Sequence, residues 1–269
     1  MMRFAVVDGE RGEAQRGSRG ACPNCGQSVV ARCGEYRVDH WAHIGKRSCD
    51  PWRESETLWH RRLKSNFAAE LQEVVAIDSN GERHIADIRT PLGLTIEFQH
   101  SYLQPLERRA REFFYGPNLV WVVDGTRRVR DLPRFGEGRR YLRSFSGSQI
   151  FIHPFPAECF PKDWLASRVP VFFDFDGVEG SDSSTLWGLL PGRAEGQAVA
   201  VALTRREFFD RARNRAEIVP ARAWVAKVGM ALRGQLWPPP GRKLRPIAAW
   251  RPAPRTFQQW LRSRRRRRY

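Results

Sequence analysis

The 269-residue sequence predicts an α/β protein with a mixed β-sheet, preceded by a β module that carries cysteines and followed by an α+β extension. Three observations lead to this prediction. Between residues 53 and 130 a helical pattern, three strand patterns, a second helical pattern and a continuous apolar strand follow one another, which predicts the order α-β-β-β-α-β. Two cysteines in C-x2-C spacing come before this core. Alternating apolar stretches separated by turn signals resume after it. The predicted segments are 1–52 (zinc-binding module), 53–130 (core), 131–240 (extension) and 241–269 (basic arm).

Composition restricts the partners and the compartment. The formal net charge is +17, and residues 241–269 hold eleven Arg or Lys and no acidic residue. Such an arm is typical of solvated, disordered segments, and its affinity for phosphate backbones would depend strongly on salt. The sequence has neither an apolar run of about 18 residues nor an apolar leader. We therefore expect a cytoplasmic protein without membrane contact, whose five cysteines are thiols or metal ligands rather than disulfides.

A structural zinc site is predicted in the N-terminal module. Two thiolates at C-x2-C spacing can face one metal ion, and a glycine directly after them relieves the turn. The predicted ligands are Cys22, Cys25, His43 and Cys49. His40 is an alternative to His43, because residues three apart on an extended chain point to opposite faces. Cys33 could compete as a ligand, and the alternative to a zinc site is a set of buried structural thiols without metal.

The first helix of the core has a predicted start and a predicted polar face. Asp50 would cap its N-terminus, with Pro51 at the first helical position. Glu56, His60 and Lys64 recur every four residues beside the apolar stripe. Either these three residues form a solvated face, or Glu56 is a third metal-binding carboxylate and His60 and Lys64 lie near a phosphate.

Two acidic residues lie on the predicted strands that follow. Asp87 precedes a Pro-Leu-Gly turn, and on the next strand Glu97 and Gln99 share a face because side chains alternate with period two. Two carboxylates that converge from adjacent strands suit Mg²⁺ or Mn²⁺. Such an ion can activate water and stabilise a displacement at phosphorus. Asp87 and Glu97 are therefore the predicted magnesium ligands.

This arrangement resembles the core of the PD-(D/E)XK nuclease superfamily, in which an Asp, a turn and an acid-x-Lys motif follow one another. Asp87 and Glu97 match the two acids, and Gln99 stands where most members have Lys. That Lys is expected to orient the attacking water or to stabilise negative charge, and an amide can do only the first. Some members carry Gln at this position. The resemblance implies an αβββαβ core and metal-dependent phosphodiester hydrolysis.

A narrower resemblance rests on ordered motifs in the first 130 residues. They are CPNC, HWAH at 40–43, Cys49, ESETLWHRRLK at 54–64, ADI at 86–88, IEFQHS at 96–101 and VWVVDG at 120–125. Together they resemble the competence protein CoiA-like family. That resemblance implies a nuclease linked to the uptake, recombination or processing of DNA. Its implied active-site core is Asp87, Glu97 and Gln99, complemented by Glu56 and His60 from the helix.

Two further sets of charges have open roles. Arg108 and Arg111, on a helix predicted to begin at Pro105, are either surface charges or a phosphate clamp near the metal. Asp174 and Asp176 alternate on a strand of the extension and are interpreted as exposed strand-end acids.

The predicted function is a Mg²⁺-dependent nuclease that acts on DNA. The alternative is a non-catalytic, zinc-stapled DNA-binding protein that retains the nuclease fold. The Gln at position 99 favours this alternative, whereas retention of Glu56, Asp87 and Glu97 favours the enzyme. Basic surfaces do not distinguish DNA from RNA. Cutting both strands would suit a homodimer, which the pattern does not demonstrate.

Overall fold

The computed structural model describes residues 2–45, 49–52 and 54–234. The predicted basic arm at 241–269 lies outside the described residues. All five cysteines are free thiols, as expected. Among the helices described, none is long and apolar enough to cross a membrane.

The N-terminal residues form a five-stranded antiparallel sheet. Its strands are β1 (Phe4–Val7), β2 (Glu10–Glu13), β3 (Arg19–Ala21), β4 (Ser28–Arg32) and β5 (His40–His43). They are ordered β2-β1-β3-β4-β5. Met2, Val29 and Trp41 form the centre of a small core on this sheet. Strands β4 and β5 are antiparallel neighbours.

The predicted core elements form the first part of a second, mixed sheet. They are α1 (Leu58–Lys64), β6 (Gln72–Ile77), β7 (Arg83–Arg89), β8 (Thr95–Gln99), α2 (Pro105–Tyr115) and β9 (Leu119–Asp124). Their order is the predicted α-β-β-β-α-β. Strands β6, β7 and β8 are antiparallel neighbours, whereas β8 and β9 are parallel. The prediction of an α/β fold with a mixed sheet is confirmed.

The extension continues the same sheet. Its elements are α3 (Asp131–Gly138), β10 (Arg143–Ser144), β11 (Ile150–His153), β12 (Val171–Asp174), β13 (Thr185–Leu189), β14 (Ala198–Thr204), α4 (Arg205–Asn214) and α5 (Ala221–Leu232). Strand β12 pairs in parallel with β9, which gives nine strands in the order β10-β11-β14-β13-β12-β9-β8-β7-β6. The division proposed at residue 130 therefore falls inside one sheet.

Each face of this sheet carries an apolar core. On one face Val120 and Val122 of β9 pack with Trp59 of α1 and Phe208 of α4. On the other face Trp121 belongs to a second cluster. The buried, continuously apolar β9 follows from this arrangement, since a strand covered on both faces has no solvent side.

The first helix begins later than predicted. Thr57 is its N-cap: its hydroxyl accepts the N–H of His60, and His60 Nδ1 accepts the N–H of Thr57. Asp50 instead accepts the N–H of Ile85 at 2.8 Å and contacts His84 Nδ1 at 2.8 Å. The predicted cap at Asp50 was wrong, because its carboxylate binds β7 rather than a helix terminus.

Asp174 differs from its predicted environment. Its side chain is fully buried and accepts a hydrogen bond from Trp59 Nε1 at 2.8 Å. Arg205, the first residue of α4, lies 2.6 Å from the same carboxylate oxygen. The interpretation of Asp174 as an exposed acid was wrong, because α4 supplies a buried partner.

Candidate metal centres and acidic cleft

The four predicted zinc ligands lie together. The ligand atoms of Cys22, Cys25, His43 and Cys49 are all within 4.8 Å of one another. The sulfurs of Cys22 and Cys49 are 3.6 Å apart, and Cys25 Sγ is 3.3 Å from His43 Nε2. Bonds of about 2.3 Å to sulfur and 2.0–2.1 Å to nitrogen in a tetrahedron correspond to ligand separations of about 3.8 and 3.5 Å. The cluster could therefore bind zinc.

The alternative ligands lie outside this cluster. His40 Nδ1 is 2.9 Å from the carbonyl oxygen of Val38, and Cys33 Sγ contacts the carbonyl of Ala14. The cluster of possible ligands therefore contains His43 and not His40. Burial raises the pKa of the Cys22 thiol to about 12, so zinc binding there would release a proton.

Strands β7 and β8 separate where the predicted acids lie. They pair at Ile88 with Ile96 and at Arg89 with Thr95. Beyond this point each acid accepts a main-chain N–H of the opposite strand. Phe98 N–H donates to Asp87 Oδ2 at 2.9 Å, and Asp87 N–H donates to Glu97 Oε1 at 3.3 Å. The fork thus holds both carboxylates by one oxygen each.

A small acidic cleft opens at this fork. Its charged lining consists of the acids Glu54, Glu56, Glu73, Asp87 and Glu97 with the bases Lys64 and Arg111, beside His60. The free volume is about 40 Å³, whereas one buried water needs roughly 10–15 Å³. The cleft can therefore admit a metal ion with a few waters, but not a nucleotide.

Lys64 lies among three of these acids. Its Nζ is 2.7 Å from Glu56 Oε1, 3.2 Å from Glu73 Oε1 and 3.5 Å from Asp87 Oδ1. Burial disfavours the charged ammonium, but Glu73, Asp87 and Glu56 outweigh it and raise the pKa of Lys64. Glu56, His60 and Lys64 therefore line the cleft and are not a solvated face, although Glu56 precedes α1 rather than belonging to it.

Glu97 carries an unusually basic carboxyl group. Burial and the charge of Asp87 raise the pKa of Glu97 to about 8, although Arg111 Nη1 lies 3.3 Å from its Oε2. A further cation beside such a carboxyl would favour its ionised form. Carboxylate oxygens are the type of ligand that Mg²⁺ and Mn²⁺ prefer.

Glu54 is a central residue of the site that sequence reasoning missed. Its carboxylate contacts His60 Nε2 at 2.6 Å and accepts the amide of Gln99 at 3.0 Å. It also accepts the N–H groups of His100 and Ser101, each at 2.8 Å, and the hydroxyl of Ser101. Burial opposes ionisation, but the hydrogen bonds from His60, His100 and Ser101 lower the pKa of Glu54 to about 2.

Glu54 determines what His60 and Gln99 can do. His60 Nδ1 accepts from Thr57, so we infer that Nε2 carries the proton that faces Glu54. Both ring nitrogens are thus engaged. The Gln99 amide donates to Glu54 and to Ser101, and Gln99 is not among the cleft-lining residues.

Glu73 is a second missed residue, with a backbone conformation that no sequence signal marks. Its φ is +47°, in the left-handed region that is unusual for a side chain other than glycine. Its carboxylate accepts the N–H groups of Arg3, which precedes β1, and of Phe4, the first residue of β1. Because it also contacts Lys64, it links the N-terminal sheet to the cleft.

Of the two arginines considered as a phosphate clamp, one lines the cleft and the other does not. Arg111 lines the cleft, and besides Glu97 it contacts Glu107 at 2.5 Å. Arg108 pairs with Glu112 at 2.5 Å, and Glu112 also accepts the hydroxyl of Ser167. The structure therefore brings only Arg111 to the candidate site.

The comparison with known protein families concerns the zinc-site region. The model of the competence protein CoiA, N-terminal domain, matches residues 10–51. The N-terminal module is similar to that of CoiA. This span includes all four candidate zinc ligands, and it ends before the residues that line the cleft. The match thus supports the resemblance to the CoiA family for this part of the chain. No curated protein and no solved structure matches the chain.

Proposed function

We propose that the chain is a metal-dependent nuclease that hydrolyses DNA phosphodiester bonds, with a PD-(D/E)XK-type core attached to the CoiA-like module. The observation that carries the proposal is the fork between β7 and β8. There Asp87 and Glu97 are held by main-chain N–H groups, with Lys64 only 3.5 Å from Asp87. This combination supports a hard metal site next to a fixed cation.

Asp87 and Glu97 would hold Mg²⁺ or Mn²⁺. When bound, the ion would supply Lewis acidity and an activated water. Arg111 restrains Glu97 through its 3.3 Å contact and keeps that side chain directed into the cleft.

Lys64 supplies the cation that Gln99 cannot. The superfamily pattern places a lysine at position 99, but here the Gln99 amide is bound to Glu54 and Ser101. The Lys64 ammonium enters the same fork from α1. Glu56 holds it there with one oxygen, while its other oxygen accepts from Arg61 at 2.9 Å. We therefore assign Lys64 to stabilising negative charge and Glu56 to positioning Lys64.

Glu54, His60 and Gln99 support the end of β8. Their mutual hydrogen bonds fix the main chain that follows Glu97. They would act through the geometry of Glu97 rather than by contact with the reacting phosphate.

The substrate would approach from outside the cleft. The free volume admits an ion and waters, so a phosphodiester would meet the metal at the opening. The net charge of +17 favours a polyanionic partner.

One observation favours the second candidate, a non-catalytic DNA-binding protein stapled by zinc. Lys64 contacts Glu56, Glu73 and Asp87 together, so it can neutralise part of the cleft without a metal. In that case the cleft would be a buried ion network and the protein would bind DNA without cutting it.

Cleavage of supercoiled and single-stranded DNA with Mg²⁺ or Mn²⁺ distinguishes the two candidates. The parent should cut, Glu97→Ala and Lys64→Met should lose cutting while retaining DNA binding, and Glu137→Ala, an exposed acid of α3, should cut like the parent. Undiminished cutting by Glu97→Ala would refute the site assignment. Salt-sensitive binding with no cutting by the parent would favour the second candidate.

A further inference from the structure

Each predicted magnesium ligand contacts a side-chain cation through the oxygen that the main chain leaves free. Glu97 Oε1 accepts the N–H of Asp87, and its other oxygen, Oε2, lies 3.3 Å from Arg111 Nη1. Asp87 Oδ2 accepts the N–H of Phe98, and its Oδ1 lies 3.5 Å from Lys64 Nζ. A metal ion bound to these two carboxylates would therefore compete with a guanidinium for one and with an ammonium for the other.

The two cations differ in what they would lose to such an ion. Lys64 Nζ lies closer to two other carboxylates, at 2.7 and 3.2 Å, so it keeps two partners without Asp87. Within the described part of the chain, Glu97 is the one acceptor of Arg111 Nη1. Loss of Glu97 Oε2 to an ion would thus leave Nη1 without a partner, whereas the Lys64 ammonium would remain held.

The remainder of the Arg111 side chain has contacts of its own. Its Nη2 donates to Glu107 at 2.5 Å and to the carbonyl of Trp52. The rings of Trp52 and Trp121 lie 5.6 and 5.9 Å from its Cζ, and the side chain is only 6% exposed. Because a guanidinium is planar and its donors have fixed directions, these contacts keep Nη1 at the lining of the cleft when its acceptor changes.

We propose that Arg111 exchanges partners during binding. Its Nη1 holds Glu97 Oε2 in the metal-free cleft, yields that oxygen to the divalent ion, and then donates to an oxygen of the DNA phosphate that the ion binds. Metal ion and phosphate bind cooperatively, because the ion frees the donor that the phosphate uses. The phosphate ligand rests on the proposed nuclease function. The competition between Arg111 and a divalent ion requires only that the cleft bind the ion.

Metal binding without DNA tests the competition. Mn²⁺ binding to the zinc-loaded protein would be measured by isothermal titration calorimetry for the parent, Arg111→Met and the matched control Arg109→Met, an exposed arginine of the same helix. Arg111→Met removes a competitor and a positive charge beside the ion, so it should bind Mn²⁺ about tenfold more tightly. Arg109→Met should bind like the parent. If Arg111 only directs Glu97 into the cleft, Arg111→Met binds Mn²⁺ more weakly, and equal or weaker binding overturns the proposal.

DNA binding tests the contact with phosphate. Fluorescence anisotropy of a labelled oligonucleotide, shown by electrophoresis to stay intact, would be recorded with and without Ca²⁺, which also prefers oxygen ligands. The gain in affinity from Ca²⁺ should be about tenfold smaller in Arg111→Met than in the parent, because one hydrogen bond from a charged donor is missing. Tighter Mn²⁺ binding with an unchanged gain from Ca²⁺ would overturn the phosphate contact of Arg111.

Arg111→Gln, a neutral variant whose amide can donate to Glu107, carries both measurements if Arg111→Met fails to fold. The exchange and the proposed function fail in different experiments. Weaker Mn²⁺ binding by Arg111→Met would overturn the exchange while metal-dependent cutting by the parent still supports the nuclease. Tighter Mn²⁺ binding and a smaller gain from Ca²⁺, without cutting by the parent, would support the exchange and remove the nuclease.

Discussion

Replacing Glu54 by Gln should destabilise the fold strongly at neutral pH. The carboxylate accepts hydrogen bonds from His60, Gln99, His100 and Ser101, and its pKa falls from 4.5 to about 2. At about 1.36 kcal/mol per unit, this shift corresponds to about 3 kcal/mol of stability. The side-chain NH₂ group of Gln would also face N–H groups that the carboxylate accepts in the parent protein. We therefore expect the free energy of unfolding to fall by about 3 kcal/mol at pH 7.

The effect should depend on pH with a defined sign. Because folding lowers the pKa of Glu54, its contribution is complete above the unfolded value of 4.5 and is lost as pH falls towards 2. At pH 3 the difference between parent and variant should shrink to about 1.4 kcal/mol. The other acids titrate in both proteins, so the difference isolates Glu54.

Urea denaturation at pH 7, 5, 4 and 3 measures this difference. Glu137→Gln is the control, since an exposed acid should change stability by less than about 0.5 kcal/mol. A loss below about 1 kcal/mol at pH 7, or a loss that stays constant from pH 5 to pH 3, would show that the ionised Glu54 carboxylate does not stabilise the fold.

Three other predictions concern the remaining sites. His43→Ala should abolish zinc binding, whereas His40→Ala should keep one zinc per chain, as measured by inductively coupled plasma mass spectrometry; equal zinc in both variants would contradict the assignment. Lys64→Met should lower the free energy of unfolding by about 3–5 kcal/mol in urea titrations, because buried acids lose their cation. Added Mg²⁺ should stabilise this variant more than the parent. Equal stabilisation of both proteins by Mg²⁺ would contradict this prediction. Arg205→Met should lower the free energy of unfolding by a similar amount, because Asp174 stays buried without its cation. Arg206→Met, at an exposed position, should leave stability unchanged in the same titration. Unchanged stability in both variants would argue against a buried ion pair.

The zinc cluster shows what local spacing can predict. The turn brings Cys22 and Cys25 together, and the alternation of strand faces separates His40 from His43, so that only one of the two histidines joins the cluster. Asp87 and Glu97 were predictable in the same way, since adjacent strands and period-two alternation determine their positions. These features depend on interactions over short stretches of chain.

The residues that sequence reasoning missed depend on distant partners. Asp50 carries the signal of a helix cap, but its carboxylate binds His84, 34 residues away. Glu54 is a single acid whose donors lie 45 to 47 residues further along the chain, apart from His60. Glu73 needs a left-handed backbone, and Asp174 a cation from α4. No periodicity within one element reports such contacts.

The anchoring of Glu73 by β1 has a consequence for how this protein can be divided. The wall of the cleft contains Trp52, Glu54 and Glu73, and the last of these accepts the main-chain N–H groups of Arg3 and Phe4. Exchanging the N-terminal module between related chains would therefore transplant part of the cleft wall together with the zinc site. Expression of residues 53–130 by themselves would leave the Glu73 carboxylate without the N–H groups of Arg3 and Phe4 that it accepts. At this position the N-terminal module and the core share one hydrogen-bonded wall of the cleft.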